Sequence, residues 1–77
     1  MDLKQVLTDI ARAIVDTPDA VSVTEVVDGD DIELTLTVAE DDTGMVIGRH
    51  GRIAKAIRQI MKAAANTCGK HVTVEIK

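Results

Sequence analysis

The stretch Val46-Ile47-Gly48-Arg49-His50-Gly51-Arg52-Ile53-Ala54-Lys55-Ala56-Ile57-Arg58 decides how this chain is read. Two glycines bracket two polar residues, with helix-compatible sequence on both sides. Glycine lets the backbone turn sharply and approach a ligand with no Cβ in the way. The second glycine opens a long helical pattern, whose free N–H groups and dipole favour an anion. Arg49 and Arg52 add positive charge at the same place. Close approach, donors and a positive field together suit a phosphodiester backbone. A GxxG tetrapeptide alone is a weak pattern, so its surroundings carry the weight.

Downstream, the spacing predicts a helix over residues 51–66, ended by Thr67-Cys68-Gly69, with Asn66 or Gly69 suited to a left-handed cap. At about 100° per residue, Ile53, Ile57, Ile60 and Ala64 share one side, expected to face a sheet. Arg52, Lys55, Arg58 and Lys62 fall opposite. Between the two lie Ala54, Met61 and Ala65, a strip too apolar for open solvent. It reads either as the rim of the core or as a candidate dimer surface. Val72, Val74 and Ile76 then alternate as a last strand.

Upstream, Asp41 or Asp42 is placed to cap a short helix containing Met45, Val46 and Ile47. Before it, Val21, Val23 and Val27 alternate with polar residues, as do Ile32, Leu34, Leu36 and Val38. A tight turn at Gly29-Asp30 pairs Val27 with Ile32, Val23 with Leu36 and Val21 with Val38. A one-residue slip would put these side chains in water. Glu25 is the misfit on the apolar face, and a bulge near Glu25-Val26 would turn Val26 inward instead. The first element is a helix in which Leu3, Val6, Leu7, Ile10 and Ile14 form one face. Asp2 caps it with Gln5 in capping-box position, and Asp16-Thr17-Pro18 stops it.

The order is helix, strand, strand, short helix, long helix, strand. It predicts an α+β fold: a three-stranded mixed sheet packed against three helices. The last strand follows a helical crossover, so it should lie parallel to the second and beside it, with residues 32–38 central.

The 77 residues fit one domain, and 45% hydrophobic against 29% charged residues is globular composition. Phe, Tyr and Trp are absent, which excludes nucleic-acid modules that stack bases on aromatic platforms. The net charge of −4 conceals a split. Residues 1–42 hold 12 acids against 2 bases, a net of −10, whereas residues 43–74 hold 6 bases and no acid, a net of +6. The basic stretch points to a polyanion-facing surface.

Other residues carry less. Asp28, Asp30 and Asp31 lack the spacing of a calcium loop and read as a solvated turn. Cys68 and His71 do not make a zinc site, and no nucleophilic triad is present. No metal, cofactor or enzymatic activity is expected. A single cysteine and no membrane-length apolar run fit a cytoplasmic protein.

With the GxxG string inside a strand–helix–helix–strand unit, the chain resembles the KH domain, whose GxxG loop clamps about four nucleotides. The extra helix and strand ahead of that unit are similar to the type II arrangement (α-β-β-α-α-β). The resemblance implies one domain over residues 1–77, with the KH core at about 30–77 and the type II extension at 2–28. More closely, residues 46–58 and the chain length resemble the KhpA-like family of small stand-alone bacterial KH proteins. One departure is Ala54, where many KH domains carry a large aliphatic residue.

The resemblance implies single-stranded RNA binding through Val46, Ile47, Gly48, Arg49, His50, Gly51, Arg52 and Lys55. Without aromatics, bases would lie in an aliphatic groove for which Met45, Val46, Ile47, Leu36 and Val38 are candidates. It further implies a homodimer, or a complex with a KhpB-type (Jag) protein, and a role as RNA chaperone or post-transcriptional regulator linked to cell elongation and wall homeostasis. The competing expectation is a protein-interaction subunit that docks a partner and binds little RNA itself.

Overall fold

A computed structural model describes residues 1–77. The elements run α1 (Leu3–Ile14), β1 (Ser22–Asp28), β2 (Asp31–Thr37), α2 (Thr43–Ile47), α3 (Arg52–Thr67) and β3 (His71–Ile76). Short 3-10 turns cover Pro18–Ala20, Glu40–Asp42 and Arg49–Gly51. This is the expected α+β fold in the type II KH order.

The sheet order is β1-β2-β3, with β1 antiparallel and β3 parallel to the central β2. Val27 pairs with Ile32 and Val23 with Leu36 across a turn whose Gly29 has φ 61°. The expected bulge is absent: Glu25 sits opposite Leu34 and Val26 opposite Glu33 in an unbroken ladder. β1 is an edge strand, so Glu25 reaches water past the sheet edge and needs no distortion to do so. Val26 consequently stays on the bare face, exposed.

One core joins all the elements. Leu7, Leu34, Leu36, Val46, Ile57 and Met61 are its largest fully buried side chains. Leu3, Leu7 and Ala11 supply the α1 contribution, while Ile14 is at the exposed margin. Asp2 caps α1 by accepting from the Gln5 N–H at 3.2 Å, but the Gln5 side chain bonds Asp9 instead of closing the box. At the other end of the chain, Gly69 (φ 70°) takes the left-handed cap after α3, and the Lys70 N–H reaches back to the Ala65 carbonyl at 2.9 Å.

The expected faces of α3 need correction. Its buried residues are Ala54, Ile57, Met61 and Ala65. Ile53 and Ile60 are 39% and 50% exposed. The buried stripe is therefore turned about 75° from the isoleucine-centred face. The helix has to pack against β3, α1 and α2 together. The centre of that three-sided contact is the most enclosed line along it, and small alanines flanking one methionine fit there where a row of isoleucines would hold the neighbours apart. The candidate dimer strip Ala54, Met61 and Ala65 is thus interior, with exposures of 4%, 0% and 1%.

Asp42 is also placed differently from the expected cap. It makes no side-chain capping bond to α2. Its carboxylate is buried and accepts from the Thr17 N–H at 2.9 Å, which pins the α1–β1 connection to the start of α2.

Candidate nucleic-acid interface

Residues 48–51 form a tight turn between α2 and α3. Gly48 (φ 75°, ψ 176°), His50 (φ 58°, ψ 25°) and Gly51 (φ 73°, ψ 16°) all occupy positive φ. L side chains adopt such conformations at a cost, so glycine suits two of the three positions. His50 is the only non-glycine residue of the chain held there.

Gly48 is required by packing as well. A Cβ at Gly48 would overlap Ile53 Cγ1 and come within 2.9 Å of Ile53 Cβ. Ile53, in the first turn of α3, therefore forms the floor on which the loop rests. This explains part of its displacement from the sheet face. Gly51, by contrast, has open space around it and serves only the conformation.

The loop is closed by three backbone bonds. The Gly48 N–H donates to Gly44 O at 2.8 Å, the Gly51 N–H to Gly48 O at 3.2 Å, and the Arg52 N–H to Arg49 O. Arg49, His50, Arg52 and Lys55 are all exposed, and none takes part in an ion pair. The arrangement offers exposed, unneutralised cations around a backbone that a ligand can approach closely.

The other expected contact residues divide. Ile47 is exposed beside the loop and Met45 on the same short helix, at 37% each. Val46, Leu36 and Val38 are buried, so they cannot line an open groove. Val46 holds α2 to the core because α2 is so short that one side chain must anchor it. Arg58 is also partly structural: its Nε donates to Val74 O at 3.2 Å on β3. It satisfies an acceptor near the sheet edge, which leaves Arg52, Lys55 and Lys62 as the free cations of that helix face.

The bare face of the sheet is opposite in character. By strand alternation it presents Asp28, Asp31, Glu33 and Glu75. A shallow cleft there is lined by Val26, Asp28, Asp31, Ile32, Glu33 and Thr73, acidic chemistry unsuited to a polyanion. No helix is long and apolar enough to cross a membrane.

Sequence reasoning missed Ile53 as the loop's floor, Asp42 as a tie and Arg58 as an edge cap. No local signal marks these, since each acts on a partner from another turn or element.

Comparison with known proteins adds an independent observation. The family described as KhpA/KhpB, KH domain, matches residues 4–76. A protein named RNA-binding protein KhpA from Clostridium acetobutylicum is 54% identical over 74 residues, covering 96% of this chain and 99% of the relative. A protein of the same name from Aquifex aeolicus is 39% identical over 74 residues, covering 96% of this chain and 94% of the relative. Among solved structures, Era in complex with MgGDPNP and a segment of 16S ribosomal RNA shares the fold with TM-score 0.72 at 19% identity, over 96% of this chain and 28% of that one.

Proposed function

Because the chain belongs to the KhpA/KhpB family of KH domains, we propose that it binds single-stranded RNA by clamping the phosphate backbone on the 48–51 loop. The observation that carries this reading is the loop itself: three positive-φ residues beside exposed Arg49, Arg52 and Lys55, none of them in an ion pair. Phosphates lie over residues 48–51, and Ile47 with Met45 supplies apolar surface for sugars and bases. Val46 acts from the core by holding Ile47 and Gly48 in position.

The test is to replace Arg49 and His50 together with Asp. RNA binding should fall by at least about tenfold, with the circular dichroism spectrum unchanged. For the wild-type chain, log K should fall with log salt at a slope of about −2 if three phosphates are neutralised. Undiminished binding by the double variant would exclude the clamp.

A clamp of about four nucleotides is a weak binder, so a second RNA-binding subunit adds avidity. The exposed Ile53 and Ile60, two helical turns apart with exposed Ala56 and Ala63 beside them, supply a self-association surface in place of the buried strip. A homodimer, or a complex with a KhpB-type protein, forms there. The cellular role is that of a cytoplasmic RNA chaperone or post-transcriptional regulator acting on cell elongation and wall homeostasis. The same isoleucine face favours a second reading, a protein-interaction subunit. That reading predicts no RNA binding by the isolated chain at low salt, with partner binding intact in the loop variant.

A further inference from the structure

Asp42 is the only charged residue that the fold buries, at 3% exposure. A carboxylate taken out of water is costly unless a donor meets it. Its donor is the Thr17 N–H at 2.9 Å, 25 residues away in sequence. Asp42 directly precedes α2, yet its side chain makes no bond to that helix. A serine there would cap α2 without burying a charge. The acid is therefore committed to Thr17 and not to the start of the helix.

Thr17 is a firm anchor. It lies between Val15 and Val21, both in the core, and its carbonyl accepts from the Ala20 N–H at 3.0 Å. α2 has few other holds, being five residues long with one buried side chain, Val46. Asp42 and Val46 are four positions apart, both turned inward, about 6 Å from each other along the axis. Two such points fix the direction of α2, whereas Val46 alone would leave a pivot. Gly48, just beyond the end of α2, rests so closely on Ile53 that a Cβ would overlap it. Ile53, Arg52 and Lys55 belong to α3, which is fixed separately by its buried Ala54 and Ile57. A tilt of α2 about Val46 would thus move Gly48 relative to the cations of α3.

We infer that Asp42 is a positioning residue for the RNA site: bonded to Thr17, it sets the angle at which α2 presents the 48–51 loop to Arg52 and Lys55. The inference rests on the RNA reading proposed above. Asp42 is buried and touches no RNA itself. Charge alone predicts the opposite effect for its removal, because losing an acid near a polyanion site strengthens binding. Weaker binding without Asp42 is therefore a signature of position.

The experiment compares Asp42→Ala, Asp42→Ser and Asp42→Asn with the wild-type chain and with the Arg49→Asp/His50→Asp variant. Val23→Ala, a core truncation on β1, serves as the control for lost stability. The probe is a fluorescein-labelled single-stranded RNA of mixed sequence, titrated well below the melting temperature of every chain. Amide ¹H–¹⁵N spectra of the free chains report on residues 48–51. Asp42→Ser keeps a capping residue before α2 but is too short to reach Thr17, so it carries the test if Asp42→Ala does not fold. Both should bind RNA about tenfold more weakly and shift the amide signals of 48–51. Asp42→Asn, whose amide oxygen accepts the same bond, should restore both to within about twofold of wild type. Val23→Ala should melt lower yet bind as wild type does. Wild-type affinity in folded Asp42→Ser, or an equal loss in Val23→Ala, would overturn the inference and leave the clamp standing. If the loop variant binds as wild type does, the clamp fails. Unshifted 48–51 signals in Asp42→Ser would overturn the positioning role whatever the clamp's fate.

Discussion

His50 and Gly48 put opposite demands on the loop. His50 is a non-glycine residue in a left-handed conformation, which costs about 1 kcal/mol relative to glycine. Gly48 has no room for a Cβ above Ile53 and an unfavourable φ for any other residue. His50→Gly should therefore raise the melting temperature by about 4 °C, and under the proposed clamp, in which the side chain contacts the RNA, it should weaken binding. Gly48→Ala should do the reverse to the fold, lowering the melting temperature, and should also weaken binding. Thermal melts beside RNA titrations check both, and a stabilised His50→Gly chain with full affinity would remove His50 from the site. The GxxG spacing was legible in the sequence. The difference between its two glycines was not, because Ile53 reaches Gly48 only once α3 has formed.

At the scale of elements, α3 shows where pattern reading reaches its limit. Periodicity located the helix and its end correctly, since both depend on local spacing and on Gly69. It misjudged the buried face by centring it on the largest aliphatic side chains. Which stripe is buried depends on how many neighbours enclose the helix, and here three elements select Ala54, Ile57, Met61 and Ala65. Adjacent residues consequently have opposite fates. Met61→Glu buries a charge with no partner and should abolish the folded circular dichroism and the cooperative melt. Ile60→Glu, on a half-exposed position, should change stability by no more than about 0.5 kcal/mol and leave a monomer by light scattering. A folded Ile60→Glu chain of wild-type mass would remove the isoleucine face from the self-association proposal.

At the scale of the whole molecule, the first 28 residues are as much part of the core as the KH unit. Leu3, Leu7, Ala11, Val15, Val21 and Val23 all belong to the one buried cluster. β2 also depends on β1 for its antiparallel partner. A fragment of residues 30–77 should therefore show no cooperative melt and a large loss of helical circular dichroism. A cooperative transition in that fragment would establish the KH unit as independent of its extension. Charge follows the same global layout: acids occupy the bare sheet face and the turn before α2, and free cations surround the loop. This gives the −10 and +6 halves of the chain a spatial meaning, because each half contributes a different surface. Element order, strand register, the parallel crossover and the glycine loop could all be read in the residues, since each follows from local backbone preference or from a period of two or 3.6. The buried face of α3, the tie of Asp42 to Thr17 and the capping of Val74 by Arg58 could not. They depend on which distant groups meet, and packing and hydrogen-bond satisfaction settle that only when the whole chain is closed.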